Sequence, residues 1–364
     1  MPPAHITSHA ANIVDVVICP EQMDAFKLSL SQEDRPPLDV VIQSSPVRPP
    51  RDFTSDDVAS ITTWLYACND NIRSLSYCLE ADLMDIFEDN SPAFSAHEVF
   101  FDSGKMLRTL QPFQTLTALA LRTGYSVPLS FLVQLIASCP ALEDLTIEKL
   151  LSSKPRESAG DLEIYSSFPV HIPTLSNLTL SNYGYGYATR LFETIAFPAT
   201  AQVCLTFEGR GRPSFRASGT SLQPVLDCIT HATIQYAIVS EASDGEGPTL
   251  RMTVASRDLQ FSLHWQFQVG LAEPPSEWLG FENLGTDVFR LNGLRELDVE
   301  LQQIAFHITH WQELLYPKQE LRHLKVLFFG CQPTSTKYLY QAFCEYESRN
   351  DFELSVLEMT SSTI

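Results

Sequence analysis

The sequence has few basic residues relative to acidic ones, no closely spaced cysteines and no long apolar run. It contains 24 Lys and Arg against 44 Asp and Glu, a formal net charge of −20. Because nucleic-acid affinity comes mainly from neutralising phosphates with Lys and Arg, this balance argues against a nucleic-acid partner. The same reasoning argues against anionic membrane surfaces. The expectation that remains is a protein partner with a basic or neutral surface.

The cysteines are too widely spaced for a metal or redox motif. The closest two of the eight are ten positions apart, so there is no CxxC-type pair. Cys139 in LIASCPAL and Cys204 in QVCLTF lie inside apolar runs, where a thiol usually behaves as a small core side chain. We expect reduced cysteines and a location in the cytoplasm or nucleus.

No stretch of the chain approaches the roughly 18–20 apolar residues that a spanning helix needs. The N-terminal residues 1–23 have no basic segment, and the apolar run that begins at Ile13 is interrupted by Asp15. A secretory signal peptide has a basic start and a longer apolar core. We therefore expect neither a signal peptide nor a membrane span.

One short apolar pattern recurs along the chain: an apolar residue, two variable positions, a second apolar residue, one variable position and a third. Successive copies are 26 and then 33 residues apart in the first half and 27 apart in the last third. Leucine-rich repeats are about 20–29 residues long, so this spacing predicts such repeats with one enlarged loop. The copies are Leu116/Leu119/Leu121, Leu142/Leu145/Ile147, Leu175/Leu178/Leu180, Leu294/Leu297/Val299 and Leu321/Leu324/Val326, with a weaker one at Val203/Leu205/Phe207.

Each apolar pattern predicts a short strand with its last two apolar residues facing inward. Segments with helical spacing follow, and three such stripes are Leu129/Leu132/Val133/Ile136, Leu191/Phe192/Ile195 and Leu222/Val225/Leu226/Ile229. Pro224 suits the first turn of the third helix, with Thr220 or Ser221 as its cap. Since no unit can bury its apolar face alone, the units must stack. The predicted fold is α/β: an irregular leucine-rich-repeat solenoid with a parallel sheet on one face and helices on the other.

Two parts of the chain depart from this rhythm. The alternating segments TIQYAIVS, TLRMTVA and LQFSLHWQF predict an antiparallel β insertion at 233–270, with SDGEGP as a turn. Residues 24–105 read as a mixed α/β start, with Thr54 capping a helix through Asp57 and strands at PPLDVVIQSS and IRSLSYCLE. The predicted organisation is an extension at 1–23, this start, repeat-like units at 106–232, the insertion, and further units with a cap at 271–364.

Four segments resemble the F-box/leucine-rich-repeat-like proteins of mushroom-forming fungi: PPLDVVI, CPALEDLTIEKL, IPTLSNLTLSNYGYGYATRLFETIAFP and LRELDVELQ. The resemblance extends over roughly residues 24–328. The F-box itself has no counterpart upstream of residue 24, and LMDIFEDNSPAF at 83–94 is only a partial echo. The resemblance implies the substrate-recognition region of a ubiquitin ligase, with a Skp1-type adaptor as partner only if an F-box lies upstream.

The stretch LTLSNYGYGYATRLF allows two interpretations. Gly184 and Gly186 follow a predicted strand and precede a helix expected to start near Ala188, and Glu208 ends the next strand, so a nucleotide-dependent enzyme is one alternative. The third glycine of the dinucleotide motif is replaced by Thr189, however, and bulky tyrosines interleave the glycines. The favoured interpretation is the bend of a repeat unit.

The exposed positions of the predicted strands are the candidate partner-binding residues. Alternate residues of a strand share a face, so Glu296, Asp298 and Glu300 form a carboxylate ladder on one strand. A solvated strand face is the plainer interpretation of such charges. The full predicted set is Arg122, Asp144, Glu148, Asn177, Thr179, Tyr185, Glu296, Asp298, Glu300, His323 and Lys325.

Two further clusters carry weaker hypotheses. FHITHWQELL offers the zinc-compatible ligand types His307, His310 and Glu313, without the four-residue histidine spacing of HExxH. EGRGRPSFR offers Arg210, Arg212 and Arg216, which could bind a phosphorylated partner or simply line a polar loop. No P-loop, HExxH or GxSxG motif is present. We expect a protein that is not an enzyme and has no cofactor and no metal.

Overall fold

The computed structural model describes residues 8–9, 13–20, 23, 37–43, 54–79, 115–123, 129–149, 169–210, 220–239, 249–258, 260–268, 291, 293–302, 306, 308–315, 320–329, 333–349 and 356–362. The fold is mixed α/β and is dominated by mostly parallel β-sheet. The chain divides into two compact units. Unit 1 is Met1–Asn182 with Thr194–Pro198, and unit 2 is Tyr183–Glu193 with Ala199–Ile364.

Unit 1 contains a parallel sheet with one short antiparallel edge. Its strands are β1 (Ser8–His9), β2 (Ile13–Ile18), β3 (Leu38–Gln43), β4 (Ile72–Leu79), β5 (Ala118–Thr123), β6 (Asp144–Lys149), β7 (Val170–His171), β8 (Asn177–Ser181) and β9 (Ile195–Ala196). Among the strands described, β1 pairs antiparallel with β2, and β2 to β6 and β8 follow in parallel order. A separate parallel pair joins β7 to β9.

The recurring leucines of unit 1 share one buried layer, as the repeat pattern predicts. Leu121 of β5 is in register with Ile147 of β6, and Ile147 with Leu180 of β8. All three side chains are fully buried. The preceding row, Leu119, Leu145 and Leu178, is equally buried. Burying such apolar area is the dominant favourable term in folding, so these rows hold successive strands in register.

One pattern of backbone hydrogen bonds recurs at the starts of several parallel strands. The carbonyl oxygen of Glu143, just before β6, accepts hydrogen bonds from the N–H groups of Ser176 (2.7 Å) and Asn177 (3.0 Å). The carbonyls of Thr117, Thr230 and Arg295 each accept two N–H groups in the same way. The first leucine of the pattern also donates its N–H to the residue three positions earlier, in Leu142, Leu175 and Leu294. These strand starts therefore share one backbone geometry.

The described helices are α1 (Ser55–Cys68), followed by a 3-10 turn at Asn69–Asn71, α2 (Leu129–Ala137), α3 (Tyr185–Thr194), α4 (Gln223–Asp227), α5 (Ile308–Leu315) and α6 (Pro333–Arg349). The predicted cap of α1 is confirmed. The Thr54 N–H donates to Asp57 Oδ2 (3.0 Å), and the Asp57 N–H donates to Thr54 Oγ1 (3.2 Å). These reciprocal bonds satisfy backbone donors that a helix start otherwise leaves open.

The predicted apolar stripes agree with the helices in most positions. The four predicted residues of α2 are buried, as are Leu191 and Phe192 of α3. Ile195 was wrongly expected to continue α3: it lies in β9 and pairs with Val170. In α4, Pro224 is in the first turn as predicted, but the N-cap is Leu222, without a side-chain cap. The hydroxyl of Thr220 instead accepts the N–H of Leu222, so Thr220 lies two residues before the N-cap position.

Unit 2 combines parallel strands with an antiparallel centre. Its strands are β10 (Gln202–Arg210), β11 (His231–Val239), β12 (Thr249–Ser256), β13 (Phe261–Gln268), β14 (Glu296–Gln302), β15 (His323–Phe329) and β16 (Val356–Ser362). Their order is β10-β13-β12-β11-β14-β15-β16. Only the β11–β12 and β12–β13 pairs are antiparallel among these strands. The predicted antiparallel insertion is confirmed, and parallel partners flank it on both sides. Its turn, SDGEGP, and the SSPVRPPRD loop lie outside the described residues.

Helix α5 covers the buried face of the unit 2 sheet. The ring of Trp311 lies 5.0 Å from that of Phe306 and 6.5 Å from that of Phe328 on β15. Phe306 in turn contacts Tyr236 of β11, with ring centroids 5.1 Å apart. Burial raises the pKa of Tyr236 far above its ordinary range. Leu315 of α5 is also buried, whereas Ile308 at its start is only partly buried.

Candidate functional site

The outward face of unit 1 is the set of side chains that alternate with the buried rows on β3 to β6 and on β8. Five residues of the predicted partner-binding set lie on this face: Arg122 of β5, Asp144 and Glu148 of β6, and Asn177 and Thr179 of β8. Each of these side chains is at least partly exposed. The strand registry therefore brings together residues that are up to 57 positions apart in sequence, between Arg122 and Thr179.

Polar contacts hold this face in place from strand to strand. Arg122 forms an ion pair with Glu148, with Nε 3.1 Å from Oε2. Asn177 donates a hydrogen bond to the carboxylate of Asp144. Thr179 lies opposite Thr146 on β6, so an uncharged hydroxyl row runs between the two polar pairs. A partner would meet fixed charges at the ends of the strands and small hydroxyl groups between them.

An ion pair that sequence reasoning missed extends this face to β3. Arg73 Nε donates to Asp39 Oδ1 (3.0 Å), and a second, shorter contact joins the guanidinium to the other carboxylate oxygen. The pairing of β3 with β4 shifts register between Leu38 and Asp39. Such a bulge adds one residue to a strand and redirects a side chain, here that of Arg73. The sequence shows no bulge signal at this position.

The outward face of unit 2 contains the other predicted charges. Glu296, Asp298 and Glu300 of β14 alternate with the buried Leu297, Val299 and Leu301. His323 and Lys325 of β15 are in register with Glu296 and Asp298. The predicted carboxylate ladder is therefore real, and it has a basic and an imidazole side chain beside it.

On the other side of the ladder, the strand beside β14 is β11, whose outward residues are His231, Thr233 and Gln235. Asp144 and Glu148 of the predicted set are not part of this surface, because they belong to β6 of unit 1.

His231 is the residue of this site that sequence reasoning missed. Its Nδ1 is 2.8 Å from Glu296 Oε2 and its Nε2 is 3.3 Å from Asp298 Oδ2, so one imidazole bridges two carboxylates. The His231 side chain is 18% exposed, which partly shields both contacts from solvent. The alternation of HATIQYAIV could have revealed it, since His231 shares the period of Thr233 and Gln235.

Two further contacts involve the first and the last carboxylates of the ladder, those of Glu296 and Glu300. Gln235 Nε2 donates to Glu300 Oε2 at 2.7 Å, and Arg257 Nη1 is 3.9 Å from Glu296 Oε2. All three carboxylates of β14 therefore have a neighbour that orients them. Within the described part of the chain, no group of three or more His, Cys, Asp or Glu side chains could hold a metal ion. The arrangement suits contact with a partner's polar groups.

The glycine-containing stretch forms a tight bend instead of an open loop. Helix α3 begins at Tyr185, three residues earlier than predicted, so Gly186 lies in its first turn. Asn182 adopts φ 64°, a left-handed conformation that Asn tolerates better than most residues, and its Nδ2 donates to the Lys149 carbonyl (3.0 Å). A phosphate-cradling loop would need Gly186 before the helix, so the geometry gives the nucleotide interpretation no support.

Two of the three tyrosines in this stretch have buried side chains, and the side chain of the third is not among the described ones. Tyr183 and Tyr187 are buried, with ring centroids 4.4 Å apart, and serve packing in unit 2. The Tyr185 backbone starts α3, but its side chain lies outside the described set. The side chains of His307, His310, Glu313, Arg210, Arg212 and Arg216, on which the metal and phosphate hypotheses depend, also lie outside it.

No protein-family profile and no curated protein matches the chain. Among the helices that the structure describes, none is long and apolar enough to cross a bilayer. The fold and site together define a mixed α/β protein with mostly parallel sheet and a polar, partly exposed face in each of its two units.

Proposed function

We propose that this protein is a non-catalytic scaffold that binds a protein partner through the outward faces of its two units. The repeated strands would form an irregular leucine-rich-repeat solenoid with an antiparallel insertion. By resemblance, it would act as the substrate-recognition region of an F-box-type ubiquitin ligase component of the mushroom-forming fungi. A Skp1-type adaptor would join it only through an F-box segment.

The observation that carries this proposal is an exposed face on parallel sheet. Parallel sheets are usually covered on both faces, and their strands then read as continuous apolar runs. Here the β6 strand alternates instead: Leu145 and Ile147 are buried, whereas Asp144, Thr146 and Glu148 are partly exposed. β14 and β15 alternate in the same way. Polar residues along one face of parallel strands support the proposal that another molecule contacts this surface.

The character of the two faces favours a protein as that molecule. Side chains from several consecutive strands contribute, and each added strand enlarges the same surface, as in repeat proteins that bind extended partners. The ladder of Glu296, Asp298 and Glu300 would favour partner segments that carry Lys or Arg. Among the described residues, Cys139, Cys204, Cys228 and Cys344 are free thiols, which is compatible with the reduced compartments we propose, the cytoplasm or nucleus.

The proposal is tested by affinity capture from a lysate of the source organism with two matched charge reversals. Glu300→Lys alters the outward face of unit 2, where Glu300 accepts a hydrogen bond from Gln235. Glu193→Lys makes the same chemical change on α3, where Glu193 pairs with Arg190 at 2.9 Å. We expect proteins captured by the wild type to be retained by Glu193→Lys and reduced severalfold by Glu300→Lys, because a reversed charge repels a basic partner.

Thermal unfolding followed by circular dichroism should show that both variants retain the wild-type fold. A further variant, Thr179→Arg, introduces a charge into the hydroxyl row of unit 1 and tests that face separately. If all four proteins capture the same set in the same amounts, the outward faces are not the binding surface and the proposal is wrong.

A further inference from the structure

Within the part of the chain that the structure describes, the outer edge of β16 lacks most of the features with which proteins normally protect an exposed strand. β16 is the last strand in the order of unit 2, and no described strand pairs with its outer side. Edge strands are usually short, bulged or interrupted by Pro and Lys, because their free backbone groups bind other strands. β16 has seven residues, VLEMTSS, with one charge, no Pro and no register shift against β15.

The edge strand of unit 1 provides a contrast within the same molecule. There the outermost described strand is β1, which has only two residues and runs antiparallel to β2. A strand this short offers few backbone donors and acceptors to another chain. The two units therefore differ in their edge strands. Of β1 and β16, only β16 is long and regularly paired.

The apolar layer of unit 2 is also uncovered at β16. On the buried face, Val299 and Val326 are 0% exposed, and the next residue in the same row, Met359, is 42% exposed. The row before it ends in the same way, with Leu297 and Leu324 buried and Leu357 only partly buried. One more strand with an apolar residue beside Met359 would complete the layer.

We propose that β16 of a second copy of this chain supplies that strand, in an antiparallel pair about a two-fold axis centred on Met359. Antiparallel pairing about such an axis keeps both apolar layers on the same side of the sheet. The two Met359 side chains would then face each other. Glu358 would lie opposite Thr360 of the other copy, so no like charges are juxtaposed.

A single pair of strands buries little surface, and interfaces below about 1,200 Å² in total belong to weak, transient complexes. The dimer should therefore depend on concentration. In sedimentation velocity experiments across a wide concentration range, we expect the average mass to rise from the 40.8 kDa of one chain towards twice that value. Met359→Lys should weaken the dimer by roughly tenfold or more, since two like charges would face each other, and Met359→Leu should preserve it.

Cysteine cross-linking tests the register separately, in a background with the exposed Cys228 and Cys344 changed to Ser. Residues directly opposite each other in an antiparallel pair are about 4.5–5.5 Å apart at Cβ, close enough for a disulfide after small adjustments. The Met359→Cys variant should cross-link to a covalent dimer severalfold faster than Glu358→Cys. A protein that stays monomeric at every concentration, or two variants that cross-link at the same rate, would overturn the proposal.

Discussion

Two glycines of unit 2 occupy opposite kinds of environment. A Cβ atom at Gly293 would lie 2.7 Å from the carbonyl oxygen of Asp227, a distance that real Cβ contacts do not reach. A Cβ atom at Gly186 would have no heavy atom within 4 Å. Gly293 is therefore required by the close approach of two backbone segments at the entry to β14, whereas Gly186 costs helix α3 stability without serving packing.

We predict that Gly293→Ala destabilises the protein by about 1–3 kcal/mol, because the backbone of Asp227 must move to accept the methyl group. Gly186→Ala should instead stabilise it by about 0.5–1 kcal/mol, since Ala is the better helix former. Urea unfolding followed by circular dichroism measures both changes. Equal effects of the two substitutions would show that the close approach at Gly293 does not exist.

Cys139 is a buried thiol whose environment favours the protonated form. It donates a hydrogen bond from Sγ to the Leu135 carbonyl at 3.2 Å, and desolvation raises its pKa from 9.0 to about 11, against a smaller opposing contribution from Ser138. The folded pKa lies above that of the unfolded chain. The stability contributed by the neutral thiol is thus complete below pH 9 and is lost as the pH rises towards 11.

The free energy of unfolding should accordingly fall between pH 9 and 11, by an amount on the order of 2 kcal/mol from this thiol alone. In Cys139→Ala the fall should be smaller, although that variant starts from lower stability. Cys228→Ala, at an exposed position, serves as the control and should follow the wild-type pH dependence. Identical slopes for Cys139→Ala and the wild type would contradict this account.

At the scale of single elements, helix α5 closes the buried face of the unit 2 sheet. Its Trp311 is fully buried among Phe306 and Phe328. The Trp311 Nε1 atom is buried without a hydrogen-bond partner, so the indole contributes through its apolar surface and not through its N–H group.

We predict that Trp311→Ala costs about 3–5 kcal/mol, as expected for deletion of a large buried aromatic ring. Trp311→Phe should cost clearly less, since it keeps a ring in contact with both neighbours and removes a polar group that is not satisfied. Chemical denaturation of the three proteins gives these differences directly. An equally large loss in both variants would mean that the indole N–H has a partner that the packing does not reveal.

The elements that sequence reasoning found are those with purely local signals. The strands at Leu119, Leu145 and Leu178 follow from alternation within six residues, and the α1 cap follows from Thr54 and Asp57, three positions apart. The start of α3 was misplaced because glycine at position 186 suggested a loop, whereas an exposed helical turn tolerates glycine at modest cost.

The pairing of strands that are distant in sequence was harder to predict from the sequence. The pairing of β11 with β14 places His231 against Glu296, 65 positions away, and no local pattern encodes that choice. The bulge that directs Arg73 towards Asp39 likewise depends on the register between β3 and β4. The sequence was sufficient to predict which residues lie on an exposed face, but the contacts between strands required the structure.

At the scale of the whole molecule, both units repeat one arrangement: buried apolar rows on one side of the strands and polar side chains on the other. Outward residues from four strands of unit 2 align in a single row, Ala255, Thr233, Asp298 and Lys325. Unit 1 presents Asp144, Asn177 and their neighbours in the same manner. The chain has a net charge of −20, which disfavours the approach of other anionic surfaces.

The central claim, that the outward faces bind a protein, is tested most directly by site-specific photo-cross-linking in a lysate of the source organism. A photoreactive amino acid would replace the exposed Asn177 and Gln235 on the outward faces, and Arg190 and Tyr340 on α3 and α6 as matched exposed positions. We predict discrete cross-linked products from the first two positions and none from the helical ones. Products of equal yield from the helical positions, or none from Asn177 and Gln235, would contradict the claim.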